Sequence, residues 1–199
     1  MKSTKCFSPL LTAEVNQYFL LSQFCDWNTQ TMANLFSRKA KEYASIGQNF
    51  PLSDIQKIAK KHNRTESLQE YQLLGLRWFA AKILMPNRIY VFSGDKPHID
   101  HIFPLKLAEC KHIENYQQDI DKLWNFQPIS AEVNKYKLAK HPLVFFTSSE
   151  GKKYFGEYDF LPSLDSDIWN DWREFLTYRK TAMLTELKNR YGLTIEPNN

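Results

Sequence analysis

Between residues 97 and 142 the chain sets out a carboxylate, an imidazole and two carboxamides in order: Asp100, His101, Asn125 and Asn134. Hydrolysing a phosphodiester at neutral pH takes a base to accept a proton from water, a hard cation to neutralise charge on the phosphate and the leaving oxygen, and a rigid frame. A histidine, ordinarily titrating near pH ~6.5, suits the first task, which falls to His101. Asp100 offers a carboxylate oxygen and Asn134 a neutral amide oxygen, ligands that Mg2+ takes while keeping positions for water and phosphate. Successive residues of a strand point to opposite faces. If this segment is extended, Asp100 faces the cation while His101 approaches the water from the far side of the phosphorus, and base and cation do separate jobs.

These residues resemble the HNH, or ββα-metal, nuclease motif: a strand ending in Asp-His, a loop of variable length, a short second strand opened by Asn, and a helix carrying the last ligand. Asp100-His101-Ile102-Phe103-Pro104 matches the first strand and its exit, Asn125 the central Asn, and Asn134, nine positions later, the last ligand. The HNH domain of the RNA-guided CRISPR nucleases has the same Asp-His, Asn, Asn, Lys pattern, including the nine-residue step. The resemblance implies an endonuclease with His101 as general base, Asp100 and Asn134 as ligands of one Mg2+ or Mn2+ ion, and Asn125 fixing the loop that carries the base. Lys137, one helical turn after Asn134, lies on the same face and is expected to touch phosphate. Lys135 and Lys140 would extend that backbone-binding edge, which reads no base identity. Three departures stand out. An Asn in the third position favours Mg2+ or Mn2+ over Zn2+, and no CxxC pairs flank the motif. The insert between His101 and Asn125 is longer than in the minimal motif, and 109–124 is expected to form an extra helix without an assigned role.

The elements that must position these groups are helical for the most part. The expected fold is mostly α with a small ββα element: a helical bundle over 1–87, the HNH core over 88–142, and a loop and closing helix over 143–199 that packs back on the bundle. Helical spacing of Val15 and Phe19 predicts a helix from Thr12 to about Cys25. A second is expected from Thr29 to Ser45, with Met32, Leu35, Phe36 and Tyr43 on its buried stripe and Gly47 past its end. Ser53-Asp54-Ile55-Gln56 and Ser67-Leu68-Gln69-Glu70 read as capping boxes opening a third and a fourth helix, the third turning Ile55, Ile58 and Ala59 inward, the fourth running through Tyr71, Leu74, Trp78 and Phe79 until Pro86. Lys57, Lys60, Lys61 and Arg64 could suggest a helix-turn-helix. The large apolar residues that follow suit a bundle better than a groove, which leaves those cations, and His62, on a solvated face.

At Arg88 the pattern turns to strand: Ile89 to Phe92, a turn at Ser93 to Lys96, and a return through His98 to Ile102. On that return His98 shares a face with Asp100; it either meets the cation, its water or phosphate, or caps the hairpin. Ser130 caps a helix from Ala131 to Ala139. His112 and His141 read as loop residues. After Pro142 the chain is expected to be irregular, with an apolar patch from Leu143 to Phe146. A long amphipathic helix then runs from Ser166 to Tyr191, with Ile168, Trp172, Phe175, Leu176, Met183, Leu184 and Leu187 inward, Gly192 ending it, and Arg173, Arg179, Lys180, Lys188 and Arg190 solvated.

A net charge of +4 allows nucleic-acid binding without demanding it, and DNA is the expected substrate. Three isolated cysteines, Cys6, Cys25 and Cys110, read as reduced thiols. No eighteen apolar residues run together, and Pro9 and Glu14 interrupt the apolar N-terminal patch; a soluble cytoplasmic protein without a membrane partner is expected. The order of helices, HNH segment and closing Trp-rich helix, with Phe-Leu-x-x-Arg at Phe175 to Arg179, is similar to the C-terminal half of type IV, modification-dependent restriction enzymes and related phage-defence proteins. In those a ParB-like domain binds or hydrolyses nucleotide and gates the nuclease. Nothing in the chain resembles that domain: it has no glycine-rich phosphate loop, and Gly totals only 6. The resemblance therefore implies either a fragment or a stand-alone nuclease gated by a partner, and a homodimer if both strands are cut. Two other classes remain: a degenerate HNH fold that binds nucleic acid without cutting, and a helical interaction module in which Asp100-His101 is an accident of a hairpin.

Overall fold

A computed structural model describes residues 9–64, 68–70, 84 and 98–196 of the chain. In chain order the elements are helices α1 (Pro9–Phe24), α2 (Gln30–Ser45) and α3 (Leu52–Lys61), strands β1 (Leu68–Gln69) and β2 (His98–His101), helix α4 (Tyr116–Ile120), strand β3 (Phe126–Ile129), helices α5 (Ala131–Lys137), α6 (Pro142–Thr147), α7 (Ser149–Lys152) and α8 (Trp172–Tyr191), and strand β4 (Ile195–Glu196). The described chain is mostly helical. It divides into two compact units, one comprising Met1–Leu73 with Leu187–Asn199, the other Leu74–Glu186.

In the first unit, Thr29 caps α2 by accepting the amide of Met32, and Gly47 follows that helix at φ 69°. Met32 and Phe36 are its buried residues, and the Phe36 ring meets Trp27 with centroids 5.6 Å apart. Leu20, Leu21 and Phe24 are covered while Val15 and Phe19 are exposed at 41% and 49%. Polar residues such as Glu14, Asn16, Gln17 and Ser22 are spread round α1 among the apolar ones, so periodicity could not choose a face. Helix α3 buries Ile55 and Ala59, but Pro51, not Ser53, takes the position before its first residue. Leu68 and Gln69, expected to open a helix, instead pair in parallel with Ile195 and Glu196. The rest of that fourth helix, and the strand and turn expected at 88–96, lie outside the described residues.

The second unit is built on an antiparallel pair, β2 with β3, in the register His98↔Ile129, Asp100↔Gln127 and His101↔Phe126. Ser130 closes β3 and caps α5 by accepting the amide of Val133. The insert is not one helix. It is a 3-10 turn at Ala108–Cys110, the five-residue α4, and a second 3-10 turn at Leu123–Asn125. Asn115, left-handed at φ 61°, breaks it just before α4. After Pro142 the chain is also more regular than expected. His141 caps α6 through its Nδ1, Pro142 sits in the first turn, and α7 passes so close that a Cβ on Gly151 would overlap the Phe145 carbonyl. The closing helix starts later than Ser166: Asp167–Asn170 is a 3-10 turn, and Asp171 Oδ1 takes the Arg173 amide to start α8 afresh.

Aromatic rings fill the core of this unit. Trp169 stacks on Phe175 at 5.2 Å and on Phe103 at 6.4 Å, and Phe145 and Phe146 are fully covered. Each such side chain contributes about 1.5–3 kcal/mol of burial, and Phe103 ties the exit of β2 to the centre of that packing. Cys25 and Cys110 are buried. Among the described residues no helix is long and apolar enough to cross a membrane.

Candidate active site

Strand alternation sends neighbours in β2 to opposite sides. Asp100 is 6% exposed, while His101 keeps 22% of its side chain in solvent. On the Asp100 side, α5 lies against the strand in two rungs. At the outer rung Asn134 Nδ2 is 3.1 Å from His98 Nδ1. At the inner rung Lys137 Nζ is 3.2 Å from Asp100 Oδ1 and 3.1 Å from Oδ2, and it donates to the His101 carbonyl at 2.7 Å. Tyr158 donates its hydroxyl to Asp100 Oδ2 at 3.0 Å.

Lys137 is thus not on the exposed edge, where it was expected to meet phosphate. Its side chain has no exposure, because the face of α5 that it shares with Asn134 lies against β2, and there it meets the Asp100 carboxylate. Burial pushes the Asp100 carboxyl up from its ordinary value, against the opposing pull of Lys137, Tyr158 and His101; burial pushes the Lys137 ammonium down, with Asp100 opposing. The Tyr158 phenol is pushed up, first by burial and then by the neighbouring carboxylate. Lys135 and Lys140 are exposed.

On the other side His101 Nε2 lies 2.8 Å from Asp121 Oδ1, and the ring meets Phe126 edge-on with centroids 4.9 Å apart. The loop leaving β2 is clamped by Asn125, which is fully buried. Its Oδ1 accepts the Phe103 amide at 2.9 Å, and its Nδ2 donates to the carbonyls of Phe103 at 2.8 Å and Ile120 at 3.1 Å. All three hydrogen bonds of that amide head go to backbone, so it fixes both the exit of the histidine strand and the end of the insert.

Compared with models of protein families, with curated proteins and with solved structures, the chain matches none.

Arg179, expected in solvent, is fully buried. Its Nη1 donates to the carbonyls of Trp124 and Phe126 at 2.8 and 3.1 Å, and its Nη2 to Gln127 Oε1 and the Asp159 carbonyl at 3.2 and 3.1 Å. Burial pushes the guanidinium down from its usual value, while Asp159, Tyr158 and Asp100 pull the other way. Gln127 and Asp159 are further joined by Gln127 Nε2 to Asp159 Oδ2 at 3.3 Å and by the Asp159 amide to Gln127 Oε1 at 3.0 Å. Arg179 therefore rivets β3 and the segment carrying Tyr158 to α8. Arg179, Tyr158 and Asp121 escape a reading by spacing, since they lie 52, 58 and 20 residues from the site residues they bond.

Among the described residues no three His, Cys, Asp or Glu side chains group as a metal cluster. A cation here would rest on the carboxylate of Asp100, the amide oxygen of Asn134 and oxygens of water or phosphate. That donor set fits a hard divalent ion by type, since Mg2+ ordinarily keeps several waters. It carries one condition: the Asp100 oxygens already face Lys137 and Tyr158.

Proposed function

We propose that the chain is a metal-dependent endonuclease of the HNH kind, hydrolysing phosphodiester bonds in nucleic acid, with DNA as the first substrate to test. One observation carries the reading. An imidazole and a carboxylate adjacent in sequence sit on opposite faces of one short strand, with Asn134 on the carboxylate's side and the imidazole partly open to solvent. His101 accepts a proton from a water molecule as its oxygen bonds to phosphorus, and the phosphorus–oxygen bond to the leaving nucleotide breaks. Asp100 and Asn134 would hold the hard cation, which when bound neutralises charge on the phosphate and the departing oxygen. Asn125 keeps the histidine-bearing loop rigid, and Lys135 and Lys140 offer charge to the nucleic-acid backbone. Lys137 acts from below as the counter-ion of Asp100.

The buried Lys137–Asp100 pair also favours a second reading, in which the fold binds nucleic acid without cutting because Lys137 stands where a cation would. A plasmid-nicking assay separates the two. The nuclease reading predicts Mg2+-dependent cleavage by wild type that His101→Ala loses. Binding of plasmid without cleavage, with or without Mg2+, supports the second reading, and neither binding nor cleavage removes both.

A further inference from the structure

We propose that Asp121 is a positioning residue for His101: it holds the imidazole with the proton on Nε2 and so leaves Nδ1 as the acceptor. The proposal deepens the nuclease reading and rests on it. Nε2 lies 2.8 Å from Asp121 Oδ1. An ionised carboxylate only accepts hydrogen bonds, so that contact requires a proton on Nε2 and leaves a lone pair on Nδ1. Among the described residues nothing bonds Nδ1. With the two side chains 22% and 30% exposed, water can reach the ring.

An ordinary surface pair of this exposure would be a weak and floppy contact. This one is built on a braced backbone. Asn125 Nδ2 bonds the carbonyl of Ile120, the residue just before Asp121, and the same amide group bonds both backbone atoms of Phe103, two residues after His101. The Lys122 amide also returns to Ile120, at 2.9 Å. Ile120 itself is fully buried and ends α4. A single buried amide thus ties together the two loops that carry the imidazole and the carboxylate. The long insert gains a role from this: it brings a carboxylate back to the histidine. A carboxylate that fixes the tautomer of a general base leaves substrate binding alone and acts on the proton-transfer step.

The test pairs 15N NMR of the imidazole, recorded at about pH 8 where an ordinary histidine is neutral, with cleavage kinetics on wild type, Asp121→Asn and Asp121→Glu. The expected wild-type spectrum is that of the Nε2–H tautomer. Asp121→Asn, whose amide can donate as well as accept, shifts the ring toward the Nδ1–H form. Its kcat falls by about 10- to 100-fold with KM within about twofold, and Asp121→Glu recovers part of that loss. A wild-type ring in the Nδ1–H form, an Asp121→Asn spectrum identical to wild type, or an unchanged kcat in Asp121→Asn overturns the proposal. If wild type does not cleave at all, the nuclease reading falls by itself, and the spectra still decide whether Asp121 sets the tautomer.

Discussion

Replacing Lys137 with methionine keeps most of the side-chain volume and removes the charge that faces Asp100. The carboxylate is then left 6% exposed, with Tyr158 as its remaining side-chain donor. Two outcomes compete: an unpaired buried anion, costing about 3–5 kcal/mol, or protonation. Protonating a carboxyl of ordinary pKa about 3.9 at pH 7 costs about 4 kcal/mol, at about 1.4 kcal/mol per pH unit. Protonation therefore caps the loss near ~4 kcal/mol at pH 7 and near ~1.5 kcal/mol at pH 5. The sign follows from linkage. In the variant the folded Asp100 pKa stands above the unfolded one, so the native state binds the extra proton and stability falls as pH rises through that window. Urea unfolding of wild type and Lys137→Met at pH 7 and pH 5 measures the difference, and Lys137→Met with Asp100→Asn should recover most of it at pH 7. A loss below about 1 kcal/mol at pH 7, or an equal loss at both pH values, refutes the assignment of Lys137 as the buried counter-ion, since breaking such a pair costs more.

Two further outcomes test the frame of the site. Arg179→Leu leaves the Trp124, Phe126 and Asp159 carbonyls without their guanidinium donor and should cost at least ~3 kcal/mol in urea unfolding; a near-neutral variant would show that the rivet holds nothing. His141 accepts the Leu143 amide through Nδ1 at 3.2 Å, and burial lowers its pKa from the ordinary 6.5, with Glu109 and the Trp169 backbone opposing. Its contribution is then fully present above pH 6.5 and lost as pH falls through the depressed folded value. Thermal melts of wild type should weaken relative to His141→Asn, which keeps a capping acceptor, from about pH 6.5 downward, and parallel curves would contradict this.

Local signals carried some of this architecture and distant partners erased the rest. Thr29 and Ser130 cap the helices their sequence announces, and the alternation through His98, Asp100 and His101 places the carboxylate and the imidazole on opposite faces. Lys137 and Arg179 misled because a basic residue is assigned to solvent by default. What buries Lys137 is a carboxylate 37 residues away, and what buries Arg179 is a set of carbonyls 20 to 55 residues away, which leave no period in the chain. The same holds for Tyr158, whose hydroxyl reaches Asp100 from a stretch expected only to be irregular. The insert looked like one helix because its polar composition is neutral between helix and turn; the left-handed Asn115 decides it.

The measurement that bears most directly on the site is the single-turnover cleavage rate of His101→Ala beside wild type in Mg2+, with Mn2+ affinity determined on the same two proteins. Base and cation on opposite faces of β2 predict a rate lower by about 10²- to 10⁴-fold and an unchanged affinity for Mn2+. A variant that cuts at the wild-type rate, or that loses the ion together with the imidazole, would contradict that division of labour.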